Sequence, residues 1–226
     1  MTVIVLDLDG TLVDTAGDLV GALNATMQLH GHQPVDEEIA RPHAGFGALP
    51  LLRLGLEQNG IVPDEAVLTA MRPVFLDHYA RNISLVSRPY PGAVDVLEAL
   101  RSDGWRLAIC TNKAEALARQ LLDELNLTPL FGAIIGGDTY ARPKPDSRPV
   151  LGAIRRAGGE PGGSVMVGDT ATDIAAARAA SLPVIAVDFG YANVPVRDLG
   201  PDKVISHFSE LPAALEALQA TVKAAE

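Results

Sequence analysis

The sequence predicts an α/β protein with a Rossmann-like parallel sheet core and a helical cap inserted after the first strand. Three observations lead there. The chain enters at once on Val3-Ile4-Val5-Leu6, a short apolar run rich in β-branched residues, which suits a strand buried on both faces of a parallel sheet. Its second half alternates such runs with helical stretches, as a doubly wound sheet does. Between the two lies a long interval with no convincing strand, far beyond the roughly one dozen residues that a parallel crossover needs.

Taken in order, the spacing of Leu19, Val20, Leu23 and Met27 after Asp14 is helical, behind an N-cap at Asp18. Gly31-His32-Gln33-Pro34 ends that helix, Asp36-Glu37-Glu38 opens another, and Pro50 falls in the first turn of a third carrying Leu51, Leu52, Leu54 and Leu56. The flexible Gly45-Phe46-Gly47 precedes it. Pro63-Asp64-Glu65 starts a further stretch reaching about Ile83, which Pro73 should kink or divide. Residues 15–82 are therefore assigned to the cap, and residues 1–14 with 83–226 to the core, with Arg88-Pro89-Tyr90-Pro91-Gly92 as the return. In the core, a helix at Ala93 to Ser102 precedes a strand at Arg106 to Cys110 and a helix at Ala114 to Leu125. A strand at Ala133 to Gly136, a helix at Ser147 to Ala157, a strand at Val165 to Val167, a helix at Ile174 to Ala180 and a strand at Val184 to Val187 follow. A short Val204-Ile205 strand and a helix from Leu211 to Val222 complete the pattern.

A chain of 226 residues with 48% hydrophobic content holds one α/β domain and a smaller appendage around a real core. The formal charge of −10 opposes binding to nucleic acid or anionic membrane, since both need a basic surface. An anionic substrate therefore needs local positive charge from a metal, a few placed cations or helix N-termini. The single cysteine, Cys110, excludes an intrachain disulfide and a cysteine-rich metal site, and reads as inert core. No basic or apolar leader precedes the first strand and no run approaches the ~20 apolar residues of a membrane helix, so a cytoplasmic protein is expected. No feature of the sequence speaks for or against self-association.

Chemistry-bearing residues recur where strands end, the edge at which open α/β sheets bind ligands. Asp7 and Asp9 point the same way after the first strand, roughly 7 Å apart, and such carboxylates call for a cation between them. A hard divalent ion such as Mg²⁺ fits oxygen ligands and a substrate phosphate. Gly10 would let backbone N–H groups approach a phosphate, and the Thr11 hydroxyl can donate to one. The second strand ends in Thr111-Asn112-Lys113, where Thr111 taken alone reads as a helix cap. Lys144 is fenced by Pro143 and Pro145, which restricts the backbone, and a cis Lys144–Pro145 bond is expected. A later strand runs into Gly168-Asp169-Thr170-Ala171-Thr172-Asp173, in which a helix dipole explains Asp173 better than Asp169.

The string Asp7-Leu8-Asp9-Gly10-Thr11-Leu12-Val13-Asp14 resembles the nucleophile motif of the haloacid dehalogenase-like superfamily, and the segments at Thr111, Lys144 and Asp169 resemble its later motifs in the same order. That resemblance implies that Asp7 attacks phosphorus to form an aspartyl phosphate, and that Asp9 protonates the leaving oxygen and then activates water. It further implies that Thr111 and Lys144 bind the transferring phosphoryl group and that Mg²⁺ is held by Asp7, the Asp9 main-chain carbonyl and Asp169, with Asp173 in support. Asn112 is expected to position substrate or backbone.

Within the superfamily, Asp9 argues against the hydrolytic dehalogenases, and the absence of lysine from residues 15–82 argues against the phosphonoacetaldehyde hydrolases. The opening Asp7 to Leu19 and the tail segments Phe189-Gly190-Tyr191, Gly200-Pro201-Asp202 and Ser209-Glu210-Leu211-Pro212 look like those of phosphoglycolate phosphatases, although Gly45-Phe46-Gly47 departs from the polar cap loop of that group. The implied partner is a small phosphorylated metabolite. If it bears a carboxylate, the cap must supply a cation, for which Arg41, His43 and above all Arg53 are candidates. Sugar-phosphate phosphatases and β-phosphoglucomutase-like enzymes share the core motifs and stay as alternatives. So does a phospho-accepting signalling module, which the cap and the Asp7-Leu8-Asp9 spacing oppose.

Overall fold

The computed structural model describes residues 1–225, with side chains through Ala220. Strand β1 (Val3–Leu6) leads through a two-residue strand β2 (Val13–Asp14) into helices α1 (Ala16–Leu29), α2 (Glu37–Ala40), α3 (Ala48–Gln58) and α4 (Glu65–Arg81). A 3₁₀ turn at Arg41–Phe46 joins α2 to α3. The chain returns through β3 (Arg88–Pro89) and then alternates α5 (Ala93–Ser102), β4 (Arg106–Cys110), α6 (Glu115–Glu124), β5 (Ala133–Ile135), α7 (Ser147–Arg156), β6 (Val165–Gly168), α8 (Ala171–Ala179), β7 (Val184–Val187), β8 (Lys203–Ile205) and α9 (Leu211–Ala225).

Six strands form one sheet in the order β5-β4-β1-β6-β7-β8, every adjacent pair parallel. Because side chains alternate along a strand, each face of the sheet takes every second residue. Ile4 and Leu6 face a cluster with Leu97 of α5, Leu121 of α6 and Leu215 of α9. Val3 and Val5 face another with Val150 and Ile154 of α7 and Ile174 of α8. Burial on both sides is why these strands read as continuous apolar runs rather than as alternating ones. The first cluster continues into the inserted helices through Leu23, Leu52 and Phe75.

Three local details differ from expectation. Helix α1 starts at Ala16, so Asp18 is not its N-cap; its buried carboxylate instead accepts hydrogen bonds from the backbone of Val86 and Ser87 and from the Ser87 hydroxyl at 2.6 Å. Helix α4 passes through Pro73 undivided, since Pro73 and Thr69, whose carbonyl loses its helical partner, are both exposed and water can replace the bond. Finally, the two crossings between the sheet and the inserted helices pair with each other, Val13 with Pro89 and Asp14 with Arg88 in an antiparallel ribbon. Two-residue strands are too short to show a period.

Candidate active site

Strands β4, β1 and β6 are neighbours, so their carboxyl ends set Thr111, Asp7 and Asp169 side by side. Lys144 reaches them from the loop before α7. Its side chain is buried, with Nζ 3.0 Å from Asp7 Oδ1 and 2.5 Å from Asp173 Oδ1. The Lys144–Pro145 peptide is cis, and Asn112 donates from Nδ2 to the Lys144 carbonyl at 3.0 Å, so Asn112 positions backbone. The other Asp173 oxygen accepts from the Thr170 amide at 3.1 Å and the Thr170 hydroxyl at 2.8 Å. These two bonds open α8 with a reciprocal cap. Asp169 is equally held, accepting from the Thr11 hydroxyl at 2.8 Å and from the Tyr191 amide at 2.7 Å.

This cluster carries more negative than positive charge. Burial, only partly opposed by Lys144, pushes the Asp7 carboxyl up to about 7. Burial, with Asp173 and Asp7 adding repulsion, holds Asp169 well above the usual carboxylate range. For Lys144, burial works against its charge, yet the attraction of Asp173 and Asp7 raises its pKa overall. One oxygen from each of Asp7, Asp169 and Asp173 lies within 4.8 Å of the others. The donors are all carboxylate oxygens, so the residues fit a hard divalent cation such as Mg²⁺, whose charge would relieve the excess. Lys144 takes one Asp173 oxygen and Thr170 holds the other, so Asp173 anchors Lys144 beside Asp7.

Asp9 turns to a different set of partners. It accepts from the Thr15 hydroxyl at 2.7 Å and takes Lys113 Nζ on both oxygens, at 2.7 and 2.9 Å. Lys113 also sits over the ring of Tyr79, 4.6 Å from its centre. Thr111 accepts from the Lys113 amide at 3.2 Å and does not cap α6, whose N-cap is Ala114. Together with Asp7, Asp9, Asn112 and Lys144, these residues floor a cavity of about 370 Å³ roofed by Gly45, Phe46, Leu49, Arg72, Phe75 and Tyr79 of the inserted helices.

Several expected contacts are replaced. The Gly10 amide donates to the Val13 carbonyl at 2.9 Å and is not free for a phosphate. Its glycine is needed for another reason: φ is +80°, and a Cβ there would lie 2.5 Å from Asp169 and 2.7 Å from Tyr191. The Thr11 hydroxyl is spent on Asp169. Arg53 pairs with Glu65 at the surface and does not line the cavity, where Arg72 is the cation from the inserted helices. Arg41 pairs with Asp14 and lies over the Tyr191 ring. Cys110 is buried, and burial pushes its thiol up to about 12, consistent with inert core.

Two residues of the site have no role readable from the sequence, although both lie in segments singled out there. Lys113 follows Thr111 in a loop, and only the three-dimensional turn brings it onto Asp9. Tyr191 lies far along the chain, yet its hydroxyl accepts from the Thr15 and Ala16 amides at 2.6 and 2.9 Å and donates to Asp14 at 2.8 Å.

Residues 4–187 match the family model described as haloacid dehalogenase-like hydrolase. The chain is 46% identical over 211 residues to the phosphoglycolate phosphatase of Agrobacterium fabrum, which covers 93% of this chain and 91% of that one. It is 44% identical over 213 residues to the protein of the same name from Mesorhizobium japonicum, covering 94% of each. Among solved structures, a predicted phosphoglycolate phosphatase from Haemophilus somnus superposes with a TM-score of 0.86 at 27% identity, covering 94% of this chain and 97% of that one. The order of strand ends, the buried lysine beside the first aspartate and these likenesses converge: the chain belongs to the haloacid dehalogenase-like hydrolase family.

Proposed function

We propose that this protein is a Mg²⁺-dependent phosphomonoester hydrolase whose substrate is 2-phosphoglycolate. The observation that carries the chemistry is the buried contact of Lys144 with Asp7 at the centre of three adjacent strand ends. The substrate reading rests on relatives named phosphoglycolate phosphatase at 46% and 44% identity over most of the chain. Residues 15–82 act as the cap and residues 1–14 with 83–226 as the catalytic core, a division supported by the ribbon at which both crossings meet.

Phosphate-monoester hydrolysis demands up to about 10²¹-fold acceleration, and one general acid supplies only about 10²–10⁴-fold. Position and charge must therefore do most of the work. Asp7 attacks phosphorus as the bond to the leaving oxygen breaks, and Asp9 gives that oxygen its proton. Asp9 then takes a proton from the water that attacks the aspartyl phosphate, which frees phosphate and restores Asp7. Thr111 and Lys144 hold the phosphoryl oxygens throughout. Asp7, the Asp9 carbonyl and Asp169 would hold Mg²⁺, which when bound would add neutralisation of phosphoryl charge. The absence of disulfides and of any membrane-crossing helix among the described residues supports a cytoplasmic enzyme.

The decisive experiment compares kcat/KM for 2-phosphoglycolate, hexose phosphates and nucleotides with Mg²⁺ and with EDTA. Preference for 2-phosphoglycolate, lost in EDTA, is expected. Stoichiometric phosphorylation of the protein without turnover would reverse the assignment to an enzyme, and preference for a hexose phosphate would reverse the substrate.

A further inference from the structure

Among the described residues, the Tyr79 hydroxyl is the one buried side-chain polar atom with no partner in normal hydrogen-bond geometry, although the Lys113 ammonium interacts with it electrostatically. Tyr79 is 1% exposed, on α4, and lines the cavity over Asp9. A buried, unsatisfied hydroxyl costs about 1–3 kcal/mol, so its persistence calls for a ligand group that completes it. Burial pushes this phenol up to about 12, which keeps it protonated and able to donate.

The place of that hydroxyl narrows the ligand. Three cations line the cavity: Lys144, Lys113 and Arg72. Lys144 is committed to Asp7 and Asp173. Lys113 grips Asp9, the residue facing the leaving oxygen, with its ammonium over the Tyr79 ring. An ammonium has three protons, and the two Asp9 oxygens use two. In a two-carbon leaving group with a carboxylate, that carboxylate is bonded to the carbon next to the leaving oxygen. Its receptor must then lie against the acid itself, not across the cavity. Arg72 stands two helical turns from Tyr79 on the same face of α4, about 10 Å along the axis, and is exposed. No contact between Arg72 and Asp9 is found among the described residues, whereas Lys113 holds both Asp9 oxygens.

We propose that Lys113 and the Tyr79 hydroxyl together seat the substrate carboxylate, making them the specificity-determining pair of the site. This rests on the 2-phosphoglycolate reading and adds to it the residues that read the acid. The Tyr79 ring, over Lys113, also closes this end of the cavity to longer leaving groups.

The test compares kcat/KM for 2-phosphoglycolate with that for 2-hydroxyethyl phosphate, which has the same length and no carboxylate. Tyr79→Phe removes only a hydroxyl without a normal hydrogen bond, so thermal stability should hold or rise. The ratio of the two kcat/KM values should fall about tenfold, mainly through KM for the acid. Lys113→Gln should lower turnover of both substrates by loosening Asp9, and lower the ratio by at least as much as Tyr79→Phe. Arg72→Gln should leave the ratio within about twofold. An unchanged ratio in Tyr79→Phe, or a larger fall in Arg72→Gln, overturns the seat while the substrate reading stands. If the unaltered enzyme shows no preference for the acid, the substrate reading fails and the seat falls with it.

Discussion

The strand ends of the sheet and the inserted helices above them are built in opposite ways. At the strand ends each buried polar group is held: Asp173 by Lys144 and Thr170, Asp169 by Thr11 and Tyr191, the Lys144 backbone by Asn112. Over the same cavity, α4 and the turn before α3 present mostly carbon, and the one buried hydroxyl among them has no partner in normal hydrogen-bond geometry. Preorganised groups do not need to reorient as charge develops, which is what phosphoryl transfer asks of the core. An incompletely satisfied face gains most from the ligand that completes it, which is what selection among substrates requires.

This contrast can be broken from either side, most severely in the core. Asp7→Asn should lower kcat by about 10⁴-fold or more with the circular dichroism spectrum unchanged, and Asp9→Asn by about 10²–10⁴-fold. Residual activity near the unaltered level in either variant would remove its assigned role. Lys144→Met leaves Asp7 and Asp173 without their buried cation and should destabilise the fold by about 3–5 kcal/mol in urea unfolding. A loss below about 1 kcal/mol would mean that the carboxylates find relief elsewhere.

Mg²⁺ should raise the melting temperature, and by more at pH 8 than at pH 5. The sign follows from Asp7, whose carboxyl burial raises from 3.8 to about 7. Between those values the metal-free folded state keeps a proton that the unfolded chain has released, so its stability falls as pH rises through that window. A cation bound to the ionised form offsets that loss, and Asp169, also raised, adds in the same direction. A Mg²⁺ shift that is flat or shrinks with pH would contradict this electrostatic picture. The smallest effect belongs to the cap surface: Arg53→Ala, which breaks an exposed pair with Glu65, should change stability by no more than about 0.5 kcal/mol and leave kcat/KM as it was.

The core was readable because two local signals coincide there. Apolar runs mark the strands, and a charged or hydroxyl residue directly after each run marks the functional edge, so Asp7, Thr111 and Asp169 could be placed together from their positions alone. Contacts that depend on a turn or on chain-distant packing left no such trace. The Thr11 hydroxyl was open to phosphate until Asp169 arrived from β6, 158 residues away, to accept its proton. Arg53 and Arg72 look alike in sequence, and only the rotation of α3 and α4 about their axes decides which of them meets the cavity. Pro73 looked like a break because periodicity does not reveal that its turn faces water.

Tyr191 makes the cap and core harder to exchange than their hairpin-like junction implies. The N-cap residue of α1, Thr15, makes no side-chain cap, and the first amides are satisfied mainly by the Tyr191 phenol, whose own backbone amide donates to Asp169. Recombining this cap with a related core, a natural route to new substrates, therefore carries a condition. The recipient must present a tyrosine at the same point after its fifth core strand, or the graft will begin with a poorly capped helix beside a loosened Asp169 carboxylate.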